Sequence, residues 1–320
     1  MPTKRSPHRG SLQFWPRRRA KKTYARVRHW PHSDDNKPLG FAGYKVGMAH
    51  AVMTDNRPNS LTKGEDIVWP ITIIECPPLK VASLILYKKF TNGLRAVSQI
   101  NADKLDKDLG KKIPLPKTNK KKLTDIKPED FDDLRLLVFT QPKLTGIGKK
   151  KPELFELALG GKKDDKIKFA QERLGKELYL KDVLTEGNIL DTRGVTKGKG
   201  VQGPVKRFGV AIRTHKSEKT VRGPGSLGGW GNNRSWTVAH AGQTGYHQRT
   251  EHNKWLLQIG DDPSNINNKA GFKRYGNVKN PYLIIKGSVL GPAKRLIMFT
   301  KAQRPDPKMP KEVPVISKVY

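Results

Sequence analysis

Apolar residues along this chain gather in short runs punctuated by glycine and proline. Ile67 to Cys76 and Val81 to Tyr87 bracket Pro77-Pro78, which predicts two strands joined by a tight connection. Pro281 to Val289 and Lys294 to Thr300, separated by Leu290-Gly291-Pro292, predict another pair. Short strands interrupted in this way favour a closed barrel over an open sheet. Between the two groups, Leu134 to Thr140 and Pro152 to Leu159 read as strands. Asp164 to Leu174 reads as a helix with Ile167, Ala170, Gln171 and Leu174 on one face, and Asp164 and Asp165 complement the dipole at its start. The fold expected is mainly β with an α+β insertion. The lysines around Pro114 and Pro116 (Lys111, Lys112, Lys120, Lys121, Lys122) suit a surface loop, and no internal repeat is present.

Two stretches carry no periodic pattern. Ser11 to Arg19 has neither a helical nor a strand period, and Pro2, Pro7, Pro16 and Pro31 interrupt any helix there. The second stretch, residues 192–250, is rich in glycine. Some 55 residues without a secondary-structure signal are rare inside a compact domain, so this part reads as a loop that orders against a partner. The expected organisation is an N-terminal extension over 1–36, a first barrel part over 37–99 and an inserted domain over 100–186. A second barrel part then runs over 187–320 and contains a central loop at 203–250.

Charge changes the picture most. The chain has 320 residues, with 63 Lys and Arg against 29 Asp and Glu, a formal charge of +34. Self-repulsion of that size disfavours a compact state, so an external polyanion is implied, and nucleic acid fits best. Residues 1–30 hold ten bases and no acid, and residues 192–250 hold eleven bases against Glu218 alone. Residues 101–190 hold 21 bases and 16 acids, the balance of an ordinary solvated domain. In the first stretch Phe14, Trp15, Tyr24 and Trp30 alternate with arginines. Aromatic faces stack on unpaired bases while guanidinium groups take phosphates. Glycines in the second stretch let the backbone approach a crowded RNA surface closely.

Other chemistry is poorly supported. The single cysteine, Cys76, excludes an internal disulfide and multi-cysteine zinc sites, and its place at a strand end suits a buried thiol. No apolar run approaches the ~18 residues needed to cross a membrane, and the basic N-terminus lacks the apolar core of a secretory signal, so a cytoplasmic protein is expected. Gly198-Lys-Gly200-Val-Gln-Gly203 and Gly223-Pro-Gly225-Ser-Leu-Gly228 match a dinucleotide-binding spacing. Pro204 follows the first and Pro224 lies inside the second, so neither is expected to open a helix. Lys199 stands where a P-loop needs its second glycine. His240, His247, Glu251 and His252 invite a metal or acid–base reading, but their spacing matches no zinc motif. We expect no catalytic residues, no metal, no cofactor and no small-molecule substrate.

The same basic stretches carry a family signature. Leu184, Asp191, Gly194, Thr196, Gly198-Lys-Gly200, Gly203 and Arg207 resemble that of the universal large-subunit ribosomal protein L-three family, and Gly242-Gln-Thr-Gly-Tyr-His-Gln-Arg-Thr250 resembles its second hallmark. Arg9-Gly-Ser-Leu12, Pro16-Arg-Arg-Arg19 and Gly40-Phe-Ala-Gly-Tyr-Lys-Val-Gly-Met48 resemble archaeal members in particular. The resemblance covers essentially the whole chain. It implies a six-stranded barrel like that of translation elongation factors, with an inserted domain. It also implies a long N-terminal extension and a central loop threaded into ribosomal RNA, a role early in subunit assembly, and a loop reaching toward the peptidyl transferase centre. The loop tip would lie near Trp230 to Trp236, with Trp236 matching the tip tryptophan of eukaryotic relatives. Those relatives carry a methylated histidine after the first tryptophan, whereas Gly231 stands here, so that modification is not carried over.

The RNA-binding set expected is Arg9, Phe14, Trp15, Arg17, Arg18, Arg19, Lys21 and Arg26 in the extension. In and around the loop it is Lys197, Lys199, Lys206, Arg207, Arg213, Lys216, Arg222, Trp230, Arg234, Trp236, Gln243, Tyr246, His247 and Arg249. The partners expected are large-subunit ribosomal RNA and neighbouring large-subunit proteins, with no membrane and no homo-oligomer.

Overall fold

A computed structural model describes residues 8–57, 59–116, 131–217, 219–229, 235, 237–310 and 312–320. Its elements in chain order are β1 (Gly40–Thr54), β2 (Asp66–Glu75), β3 (Leu79–Phe90), β4 (Gly93–Asn101), β5 (Asp133–Phe139) and β6 (Leu154–Ala158). Helix α1 (Lys163–Arg173), β7 (Glu177–Leu178) and α2 (Leu180–Val183) follow, then β8 (Ile189–Val195), β9 (Gly198–Gln202) and α3 (Pro204–Phe208). The chain finishes with β10 (Gly242–Gly245), β11 (Gln248–Gly260), β12 (Tyr282–Lys286), β13 (Leu296–Lys301) and β14 (Ile316–Val319). Two compact units result. The smaller comprises the chain up to Thr23 together with Val195–Gln248, and the larger comprises Tyr24–Gly194 with Arg249–Tyr320.

The larger unit is mainly β. One sheet has the order β13-β8-β11-β12-β2-β1-β14, and β13 also pairs with β1. Leu283, Ile284 and Ile285 are all fully buried. Successive strand residues point to opposite faces, so β12 is covered on both sides, and the same holds for Ile73 and Ile74 of β2. The second sheet has the order β4-β3-β5-β6, with β7 on β3. Helix α1 begins with Asp164 and Asp165 in its first turn and ends with Arg173 in its last, as the dipole favours. Ala170 is fully buried, with Ile167, Phe169 and Leu174 packed against the core.

Several expectations need correction. The strands on either side of Pro77-Pro78 do not pair; β2 belongs to the first sheet and β3 to the second, so the prolines mark the passage between sheets. Likewise β12 and β13 lie apart in the first sheet, each paired with other strands. In the second sheet β3 pairs with β4 on one side and β5 on the other. Gln171 is exposed, and Phe169 takes the apolar position assigned to it. Tyr24 is not a stacking platform, and Trp30 is half-buried. Tyr24 is buried and donates from Oη to the Leu154 carbonyl at 2.6 Å, and Trp30 packs against the core.

Residues 192–250 also contain more structure than their sequence suggested. In the smaller unit, β9 and β10 pair antiparallel, with a bulge between Gln243 and Gly245. Gly245 has φ +71°, and a Cβ there would lie 2.0 Å from the Lys197 carbonyl oxygen, so glycine is required on both counts. Pro204 does open a helix, the five-residue α3, with Pro at its first turn and Gly203 as N-cap. A first-turn proline lacks an N–H that would be unsatisfied there anyway, so it favours the helix start. The strand before α3 pairs antiparallel, which leaves no βαβ unit for a dinucleotide.

Buried carboxylates tie the larger unit together. Glu75 is fully buried at the end of β2. Its Oε1 accepts from the backbone N–H groups of Lys279 (2.9 Å) and Asn280 (3.0 Å) and from Asn280 Nδ2 (2.7 Å), while Oε2 accepts from the Tyr275 hydroxyl. Burial, then the Glu75 charge, pushes the Tyr275 hydroxyl pKa well up and keeps it a donor. Tyr44 on β1 donates to Thr140 Oγ1 (3.0 Å) and Glu153 Oε2 (3.3 Å), which joins the first sheet to residues bordering the second. Cys76 is buried and free, and desolvation raises its thiol pKa well above the ordinary value. We predict that Glu75→Ala lowers stability by about 3 kcal/mol, because buried donors lose a charged acceptor, and that Glu75→Gln costs less. Urea unfolding with matched slopes would measure both.

Candidate nucleic-acid interface

Phe208 closes α3 and is buried, 7% exposed. Trp15 stacks on it with ring centroids 5.4 Å apart and planes at 21°. The Arg17 guanidinium lies 4.2 Å from its ring centre and that of Arg207 lies 5.0 Å away. Gly10, at φ +87°, approaches the same ring so closely that a Cβ would sit 2.6 Å from Cδ1. Arg17 Nη1 donates to the Arg207 carbonyl at 2.6 Å. Arg207 donates from Nε to the Gln243 carbonyl (3.1 Å) and from Nη1 to that of His240 (2.9 Å). Burial lowers the pKa of both guanidiniums from its ordinary value, with Arg17 adding to the effect on Arg207. Such a group stays charged at neutral pH.

A second seam lies beside it. The Ala20 N–H donates to the Tyr246 carbonyl at 2.8 Å, and His247 Nδ1 meets the Arg18 carbonyl at 2.8 Å, so that nitrogen carries the proton. The His247 N–H donates to Thr196 Oγ1 at 3.1 Å, and the Arg19 guanidinium lies 5.4 Å from the Tyr246 ring centre. The N-terminal extension and the central loop, expected as two separate arms, thus fold on one another.

The expected RNA-binding residues therefore divide. Arg9, Phe14, Arg18, Arg19, Lys21, Lys197, Lys199, Lys206, Arg213, Lys216 and Arg222 are exposed in the smaller unit. Trp15, Arg17, Arg207, Gln243 and Tyr246 are half-buried there and His247 is buried, all six held in the contacts just described. Arg26, exposed, and Arg249, half-buried, belong to the larger unit. Trp230, Arg234 and Trp236 lie outside the described residues. Phe208 and Thr196 were missed as organising residues. The available signal was a lone large apolar side chain, followed by glycine, in a stretch otherwise poor in them.

Ion pairs differ between the two units. Several bases of the larger unit find carboxylates, as in Arg57–Asp55 (2.7 Å), Lys80–Asp106 (2.9 Å), Lys166–Asp133 (2.9 Å) and Arg173–Asp182 (3.3 Å). Arg57 holds the Asp55 carboxyl well below the usual carboxylate range. No described residue of the smaller unit is an Asp or Glu. Among the described residues, no ion pair involves Arg9, Arg18, Arg19, Lys21, Lys197, Lys199, Lys206, Arg213, Lys216 or Arg222. The histidines do not converge on a site. His252 pairs with buried Asp191 at 2.9 Å, His240 Nε2 lies 3.3 Å from the Ser235 carbonyl, and the described residues hold no group of side chains suited to a metal ion. No helix among them is long and apolar enough to cross a membrane.

The sequence model of the family described as Ribosomal protein L3 matches residues 1–320. The chain belongs to the ribosomal protein L3 family. It is similar to large ribosomal subunit protein uL3 of Methanobrevibacter smithii, with 44% identity over 94% of this chain and 93% of the relative. The uL3 protein of Methanococcus aeolicus is 45% identical over 93% and 91%, and that of Archaeoglobus fulgidus is 44% identical over 93% and 92%. Identity at this level over nearly the full length of archaeal members bears out the archaeal resemblance. These relatives are named as ribosomal proteins and not as enzymes. Within this family frame, Phe208 joins the extension to the loop.

That role is testable. Phe208→Ala should destabilise the smaller unit by about 3 kcal/mol or more, the scale for removing a buried aromatic ring. Limited proteolysis should then cut within residues 9–23 and 205–243 at lower protease concentration, while cleavage of the larger unit is unchanged.

Proposed function

We propose that this chain is a structural constituent of the large ribosomal subunit that binds large-subunit ribosomal RNA through its smaller unit. In this reading it supports early subunit assembly, sits among neighbouring ribosomal proteins and buttresses the peptidyl transferase centre through its central loop. The observation that carries the reading is the segregation of ion pairs. The exposed bases of the smaller unit have no carboxylates among its described residues, whereas those of the larger unit are interleaved with acids. A surface of that kind is neutralised by phosphates, with release of their counterions.

The fold proposed is a barrel like that of translation elongation factors. It would close through β13, β8, β11, β12, β2 and β1, supported by the strand order and the additional β13–β1 pairing. The second sheet and α1 would form the inserted domain. Contacts to phosphate and sugar should dominate, because the major groove of A-form RNA is closed to side chains.

Salt dependence tests this reading. The slope of log affinity against log salt for ribosomal RNA should be steep, and Lys199→Ala or Arg222→Ala should each make it shallower by about 0.7–0.9 for every phosphate left without its cation. Equal slopes for wild type and for a variant lacking both would count against the interface. For the loop tip, Trp236→Ala should alter the response of the subunit to peptidyl-transferase ligands without changing its protein content. A normal ligand response would refute the tip assignment.

A further inference from the structure

A cleft of about 400 Å³ opens within the smaller unit, between the start of the N-terminal segment and the two limbs of the central loop. Val210, Ala211, Val238 and Ala239 give it apolar surface, and Gly223, Pro224 and Gly225 form a low wall. Arg9 and Arg213 line it, both exposed, and none of the described residues lining it is acidic. Backbone hydrogen bonds fix the limbs: the Arg213 N–H donates to the Val221 carbonyl at 3.0 Å and the Val238 N–H to that of Ser235 at 3.2 Å. An ideal Cβ on Gly223 would come within 4.0 Å of Arg213 Nη2, so the guanidinium leans over the glycine wall.

We propose that this cleft holds one unstacked nucleotide of the bound RNA, with its base against the valine and alanine surface and its phosphate between Arg9 and Arg213. The inference rests on the RNA-binding reading above and deepens it. An unpaired base is flat, apolar on both faces and tethered to a negative charge, and a cleft lined by glycines, small apolar side chains and two arginines complements all three. The volume falls in the range of small-ligand sites, roughly 300–1,000 Å³, so one nucleotide fits and a paired helix does not. The two arginines of the lining repel a basic peptide segment and disfavour a purely apolar one.

A benzophenone amino acid at exposed Ile212, beside the cleft and outside its lining, in full-length protein assembled with large-subunit RNA, tests the proposal. Crosslinking to a single unpaired nucleotide is expected. That crosslink should be lost when Ala239→Trp fills the cleft and should weaken in Arg213→Ala, a surface change that leaves the apolar lining intact. The base edge of the crosslinked nucleotide should be protected from chemical modification by wild type and regain reactivity with Ala239→Trp. Crosslinks scattered over paired nucleotides, crosslinks to a neighbouring protein, or a yield indifferent to both variants would overturn the cleft assignment while RNA binding itself persists. Failure of the unsubstituted protein to bind the RNA at all would overturn the broader reading along with it.

Discussion

Like charges repel, and the smaller unit folds under that constraint with no carboxylate side chain among its described residues. In the larger unit, bases such as Lys80, Lys166 and Arg173 are answered by carboxylates. In the smaller unit the cations are answered by rings and backbone carbonyls. Arg17 and Arg207 both lean on Phe208, and each also donates to a main-chain oxygen. A partly desolvated cation–π contact contributes about 0.5–2 kcal/mol and a charged donor to a carbonyl about 1.5–3 kcal/mol. Neither contact neutralises the charge. The unit is thus held together while its net positive charge is kept for an external partner.

This arrangement also bears on the cost of binding. A disordered basic arm gives up about 1–2 kcal/mol of backbone entropy for each residue it orders against RNA. Here the backbone seams Ala20–Tyr246 and Thr196–His247, together with the β9–β10 ribbon, settle part of that ordering within the protein. Exposed Lys197 and Lys199 then project from a supported ribbon instead of a free loop. Pre-ordering of this kind raises affinity by lowering its cost, without any added contact.

Much of the larger unit was legible because its strands are apolar runs cut by proline, and such runs need no alternation when both faces are buried. Their pairing was not legible. Pro77-Pro78 looks the same whether it links partners or carries the chain from one sheet to the other. In the basic stretches the charge could be read and the structure could not. Strands made of Gly-Lys-Gly-Val-Gln and Gly-Gln-Thr-Gly have no apolar face to report them. Tyr24 illustrates the opposite error, since aromatics among arginines suggest base stacking wherever they occur. A finer signal was present: Tyr24 and Val27 are buried while Arg26 and Arg28 are exposed, which places the arginines on the open side of a segment that already belongs to the core.

The division between hub and surface decides how a basic residue here should be interpreted. Loss of Arg17 removes a positive charge and also a contact that joins the N-terminal segment to the central loop, and loss of Arg207 removes one and also contacts that join α3 to the later limb of that loop. Reduced RNA affinity in such a variant would not distinguish the two causes. Salt does, because a phosphate deprived of its cation changes the number of counterions released, whereas a loosened hub changes the fraction of protein competent to bind. The first alters a slope and the second shifts an intercept. Conserving the charge as lysine sharpens the distinction further, since an ammonium lacks the planar fork by which Arg207 reaches two carbonyls while lying over Phe208. At Arg18 or Arg222, where only exposed charge is at stake, arginine and lysine should be nearly equivalent; at Arg207 they are not.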